Sequence, residues 1–164
     1  MANEKVVKEI MDSVRRIVQA LRTSHRAAGA MKLTGAQLFV IASLGDAEGP
    51  LSVGELARRT RTDQSTVSVV VSRLVEKGII KRGTSSQDSR RVELSLTPKG
   101  RTLQKRAPAT VPQQKLARAL EHLPPRDAAA LSKLLSDIVA DMGEADVLAP
   151  MLFEDGPRRR SKKE

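Results

Sequence analysis

Residues 52–78 read SVGELARRTRTDQSTVSVVVSRLVEKG, and their punctuation predicts two helices joined by a tight turn. Ser52 and Glu55 stand three apart, the spacing at which a hydroxyl accepts from the N3 amide while the acid reaches back to the N-cap amide. A short helix therefore starts there and runs through Leu56 and Ala57 to about Thr60. Arg61 and Thr62 leave room only for a tight connection. Asp63 is a good N-cap for the next helix, in which Val67, Val71 and Leu74 share one face and Gly78 supplies a left-handed stop.

Downstream, residues 79–82 and 91–96 read as strands, the second alternating Val92, Leu94 and Leu96 with Arg91, Glu93 and Ser95. The polar stretch 83–90 between them makes a hairpin with a basic tip, the form of a wing. Thr97-Pro98 then places an N-cap before a proline at the first position of a helix over 98–106. Pro108 and Pro112 must kink or interrupt it. Leu116, Leu120 and Leu123 resume helical spacing, and Pro124-Pro125 opens a last amphipathic helix carrying Leu131, Leu134, Leu135, Ile138, Val139 and Met142, closed by Gly143.

Upstream, Thr34 and Gln37 repeat the capping-box spacing before a helix through Phe39, Ile41 and Leu44 that ends at Gly45. Residues 4–30 set Val7, Ile10, Met11, Val14, Ile17, Val18 and Leu21 along one stripe of a long helix. The seven-residue recurrence of Val7, Val14 and Leu21 suits a coiled-coil seam or a plain core-facing helix. The reading is mainly α with a small β-wing: a winged helix-turn-helix domain over 33–100, flanked by helices at 1–32 and 101–145 that form a dimerisation region. Residues 146–164 are expected to be a flexible basic tail.

The 164 residues suffice for one cooperative architecture, and a formal net charge of +10 points to a polyanionic partner. The charge is local. Residues 58–106 carry 13 Lys/Arg against 4 Asp/Glu, and residues 157–164 carry 5 against 1, which leaves the remainder acidic. Cysteine is absent, which excludes disulfides, thiolate metal sites and thiol nucleophiles. His25 and His122 are the only histidines and stand far apart, so no metal site is expected. No nucleophile elbow, P-loop or glycine-rich dinucleotide turn occurs, so neither a catalytic site nor a cofactor is expected. Phe39 and Phe153 are the only aromatics, too few for stacking single-stranded bases. Residues 1–16 hold no continuous apolar run, so no signal peptide or membrane span is expected and the cytoplasm is the expected compartment.

In a helix-turn-helix the second helix enters the major groove and shows its early residues to base edges. Gln64, Ser65, Ser68, Val69 and Ser72 lie off the Val67/Val71/Leu74 face. An amide at Gln64 suits adenine, the serine hydroxyls suit bases or phosphates, and Val69 suits a thymine methyl. The same face also suits a plain solvated surface, but Arg73, Lys77, Lys81, Arg82, Arg90 and Arg91 surround it. Arg90 at the wing suits a narrow minor groove, with Asp88 bracing its guanidinium or the loop. Thr66 is carried in the same candidate set. The basic run 158–163 is either a DNA-scanning arm or a solubilising tail.

The stretch 33–107 resembles the MarR (multiple antibiotic resistance regulator) family of bacterial transcription factors. The resemblance lies in Leu33-Thr34, Leu56-Ala57, Ser65-Thr66-Val67-Ser68, Leu74-Val75-Glu76-Lys77-Gly78, Asp88-Ser89-Arg90-Arg91 and Leu96-Thr97-Pro98-Lys99-Gly100. It implies an obligate homodimer that binds a pseudo-palindromic double-stranded operator, acts as a repressor and is released by a small phenolic or other effector. It also implies that Arg90 is the minor-groove arginine, Asp88 its loop partner and Arg73 a phosphate or base contact. Two features depart from the family pattern. Val69 stands where many relatives carry arginine and Ser72 where many carry an acid, while Pro108 and Pro112 interrupt a smoother helix. The alternative is an architectural DNA-binding protein with little sequence preference and no effector.

Overall fold

A computed structural model describes residues 2–85, 88, 90–107, 111–146, 149, 151 and 152. Among them the order is α1 (Ala2–Ala30), α2 (Gly35–Gly45), α3 (Val53–Thr60), α4 (Gln64–Glu76), β1 (Ile80–Thr84), β2 (Val92–Leu96), α5 (Pro98–Arg106), α6 (Pro112–Glu121) and α7 (Pro125–Asp141).

Local chemistry sets most boundaries. Thr34 Oγ1 accepts from the Gln37 amide at 3.1 Å and Gln37 Oε1 accepts from the Thr34 amide at 3.3 Å, a complete capping box for α2. Ser52 and Glu55 do the same for α3. Arg61, left-handed at φ 55, ends α3 and turns the chain into α4. Asp63 has the extended backbone of an N-cap but makes no side-chain cap bond. At the far end of α4, Gly78 at φ 66 allows the Ile79 amide to bond the Leu74 carbonyl at 2.9 Å and its own amide to bond Val75 at 2.9 Å. That closure consumes Ile79, so β1 begins at Ile80 rather than at the expected 79, and it runs on to Thr84 rather than stopping at 82.

The core lies where α2, α4 and the wing meet. α2 is buried all round, and Leu38, Val40 and Ile41 are inaccessible together with Leu56 of α3 and Val67, Val70, Val71 and Leu74 of α4. β1 and β2 pair antiparallel with Ile80 opposite Leu96 and Arg82 opposite Leu94. Leu51 adds a third partner, exchanging backbone bonds of 2.7 and 3.1 Å with Leu94, so the wing is stitched to the approach to α3. Thr97 caps α5 with Pro98 in the first turn, as its sequence predicts, and its hydroxyl also donates to the Gly78 carbonyl at 2.8 Å. A side chain at Gly100 would collide with the Ile79 carbonyl, so glycine lets α5 lie against the root of the wing.

α5 and α6 are separate helices, with Pro112 opening the second. On α1 the large apolar residues from Val6 to Val18 are exposed and burial begins at Leu21, while α7 buries none of its residues. Beyond α7 the chain departs from the expected loose tail: Met151 is 4% exposed and joins the core cluster. The basic residues 157–164, and Phe153, lie outside the described residues. Among the described residues no single helix is long and apolar enough to cross a membrane.

Candidate nucleic-acid interface

α4 has two unlike faces. Val67, Val70, Val71 and Leu74 are fully buried, whereas Gln64, Ser65 and Val69 are exposed and Ser68, Ser72 and Arg73 are half-buried. Val69 is 47% exposed, a methyl-bearing side chain in water on a helix whose other valines at 67, 70 and 71 are inaccessible. Thr66 corrects the sequence reading. At 6% exposure it lies on the core side, because the buried stripe is broad enough to take both the 66/70/74 and 67/71 columns.

The serines are not equivalent. Ser68 donates to the Gln64 carbonyl at 2.8 Å, so its hydroxyl faces outward as an acceptor, suited to a cytosine or adenine amino group. Ser72 accepts from Arg82 Nη2 at 3.2 Å, which ties β1 to the middle of α4 and sets the root of the wing beside the helix face.

At the wing tip Asp88 Oδ1 accepts from the Arg90 amide at 2.9 Å, and the Asp88 carbonyl accepts from the Arg91 amide at 3.0 Å. Of the two roles open to Asp88, these bonds brace the loop backbone. Arg90 itself is exposed; Ser86, Gln87 and Ser89 lie outside the described residues. Arg91 leans the other way, with Nη2 3.9 Å from Glu55 Oε1 on α3. Bonds from the Ser52 hydroxyl and amide hold the Glu55 carboxyl below the usual glutamate range, helped by the attraction of Arg91 and Arg58 and opposed by partial burial. Lys77 also turns from the set surrounding the helix: its Nζ donates to Gln37 Oε1 at 2.9 Å and to the Lys32 carbonyl at 3.2 Å. Lys81, Arg82, Arg90 and Arg91 are all exposed cations of the wing.

Sequence reasoning missed a cavity of about 790 Å³ behind this face. Phe39 of α2, Ala57 and Thr60 of α3, and Gln113, Leu116 and Leu120 of α6 line it, together with Met151, Leu152 and the turn residues Thr62 and Asp63 that lead into Gln64. Polar links hold α6 to the winged domain around it: Arg61 pairs with Glu121, and Gln114 Nε2 donates to Asp46 Oδ2 at 3.0 Å. The signal in sequence was faint, a glutamine directly after Pro112 in an otherwise amphipathic turn. No cluster of His, Cys, Asp or Glu able to hold a metal occurs among the described residues.

Residues 32–91, the span holding α2 to α4 and β1, match the MarR family model. Over that stretch the chain is similar to the MarR family. Over 68 residues it is 43% identical to the HTH-type transcriptional repressor MdtR of Bacillus subtilis, a match spanning 42% of this chain and 43% of that protein's length. The crystal structure of YusO from Bacillus subtilis shares 27% identity with a TM-score of 0.51, covering 84% of this chain and 96% of that one. BpsR of Bordetella bronchiseptica, whose DNA binding is regulated by 6-hydroxynicotinic acid, shares 28% identity with a TM-score of 0.52, covering 84% and 94%. These likenesses fit the mainly helical fold with its two-stranded wing.

Proposed function

We propose that this protein is a cytoplasmic, homodimeric transcription regulator of the MarR type that reads a pseudo-palindromic double-stranded operator as a repressor and is released by a small-molecule effector. The observation that carries the reading is the face of α4. Gln64, Ser65, Ser68 and Val69 are presented outward, opposite four inaccessible residues, with an arginine-bearing hairpin fastened beside them through Arg82 and Ser72. This division gives base readout to the helix and minor-groove contact to Arg90. Arg73, half-buried near the end of α4, is read as a phosphate or base contact, and Arg91, whose guanidinium also approaches Glu55 of α3, as a further DNA contact. Dimerisation is supported by α7, which buries nothing within its own chain although Leu134, Leu135, Ile138 and Met142 are all about half-exposed or more. Effector release is supported by the cavity, one wall of which is the turn into the recognition helix.

Selection of bound sequences from random duplex, followed by competition of the selected site against random duplex, tests the reading. A two-fold site with half-sites about one helical turn apart is expected, bound at least about 10³ tighter than random sequence. Equal affinity for both would favour the architectural alternative.

A further inference from the structure

α6 is gripped unevenly by the winged domain. Val111 and Gln113 at its start are buried, whereas every residue from Arg118 to His122 is exposed. Among the described residues, side-chain links cross to the winged domain at both ends of the helix. Near its start Gln114 Oε1 accepts from the Val111 amide at 3.3 Å, and its Nε2 donates to Asp46 Oδ2 at 3.0 Å. Asp46 is the C-cap of α2, and its carbonyl accepts from Arg59 of α3 at 2.8 Å, so α2, α3 and α6 meet at one residue. At the exposed end Glu121 pairs with Arg61.

Arg61 is the left-handed residue that ends α3 and turns the chain into α4, so this ion pair fastens the turn ahead of the recognition helix to the far end of α6. Gln114 and Glu121 stand seven residues apart, two turns and about 10 Å along one side of the helix. One link would leave a pivot, whereas two so spaced fix the direction of the axis. The pair adds little to stability, because its side chains are 61% and 47% exposed and such pairs are weak. Direction matters more, because α6 leads through Pro124 into α7, the helix proposed above to meet a second copy. In a two-fold complex the recognition helices sit one DNA turn apart, and a change of one base pair moves them about 3.4 Å and rotates them about 35°.

We propose that the Asp46/Gln114 and Arg61/Glu121 links are paired struts that set the half-site spacing the protein selects, with Asp46 and Glu121 as positioning residues. The inference rests on the dimeric DNA-binding reading above and names the residues that fix its geometry. Both are acids with no attraction for phosphate, and they act on the relative placement of two winged domains, leaving the contacts of each α4 with its own half-site unaltered. Without the Glu121 pair the exposed half of α6 has no buried residue to hold its direction, and the dimer accepts neighbouring spacings at less cost.

The test uses the full chain and the operator found by selection, the same operator with its half-sites one base pair closer or farther, and a duplex holding one half-site. Wild type should prefer the selected spacing. Glu121→Gln and Asp46→Ala should each lower that preference about threefold to fivefold, the range an exposed polar link can supply, with half-site affinity and melting temperature unchanged. Loss of a negative charge strengthens phosphate attraction on every duplex alike and cancels in the ratio. Arg61→Glu combined with Glu121→Arg should restore the wild-type preference. If that swap does not fold, a double-mutant cycle decides, because Glu121→Gln should have no further effect in an Arg61→Gln background. An unmoved preference in either single variant, an equal loss on the lone half-site, a folded swap without restoration, or a full Glu121→Gln effect in the Arg61→Gln background would each overturn the proposal. A wild type without spacing preference overturns the dimeric-operator reading and this proposal together, whereas a wild-type preference that no variant shifts overturns this proposal alone.

Discussion

Ile138 is 49% exposed on a helix that buries nothing in its own chain. In the proposed dimer that face is covered by a second copy, and Ile138→Ala removes the contact from both protomers. Fully burying an isoleucine side chain is worth about 1.5–3 kcal/mol, so covering the exposed half is worth about 1 kcal/mol per protomer. Doubled, about 2 kcal/mol raises the dimer dissociation constant roughly 30-fold at 1.4 kcal/mol per decade. Ile138→Asp should go much further, because it sets two unpaired carboxylates into the covered face. Sedimentation over nanomolar to high-micromolar protein reads both variants, and circular dichroism tracks the fold. The melting temperature of wild type should rise with concentration, since assembly and folding are linked. A folded wild-type monomer at micromolar concentration, or an association constant unmoved by Ile138→Asp, would refute the reasoning.

The other expectations concern the interface and the core. Arg90→Ala should cost about 1–3 kcal/mol of operator affinity, with the larger loss on A/T-rich flanks, whose narrow minor groove concentrates negative potential; competition against operators varied in the flank reads this, and a flank-independent loss contradicts it. Val69→Ala should instead change preference at particular positions inside the half-site, visible on operators varied one base pair at a time. Leu74→Ala, at an inaccessible position of α4, should lose about 2–5 kcal/mol in urea unfolding. Glu55 has its carboxyl held low in the folded state, so its contribution to stability is complete above the ordinary glutamate value of about 4.3 and is lost as pH falls through the lower folded value. Glu55→Gln should flatten that acid limb in urea midpoints measured against pH, and an unchanged slope would show the group to be uncoupled.

How much of this was legible beforehand follows the range of the interactions. The caps at Thr34, Ser52 and Thr97 are contacts within four residues, written in sequence as spacing, and the structure forms all of them. Asp63 had the same local signature but makes no cap bond. Burial of Thr66 depends on how wide a stripe the rest of the domain covers, which the residues of α4 alone do not specify. The same holds for Lys77, read as part of a basic surround but drawn inward by Gln37, 40 positions earlier. Gln113 and Met151 were least legible. Each is buried by segments remote in sequence, and the cavity they share exists only once α6 and the return of the chain after α7 pack against α2 and α3. Of the candidate DNA contacts, the pattern on α4 came from its period, whereas Asp88's role as a loop brace needed the backbone of the turn.

The stitching of Leu51 to Leu94 has a consequence for solubility. With β2 held between β1 and this bridge, the outer side of β1 is the wing's open strand edge, a row of amides and carbonyls able to template another chain. That edge carries Lys81 and Arg82, both exposed, and is only 5 residues long. Short length and like charge are ways in which sheet proteins discourage edge-to-edge joining. The cations that suit the wing to a phosphate backbone therefore repel a second wing, and chains with both replaced by glutamine or threonine should grow sticky before they grow unstable.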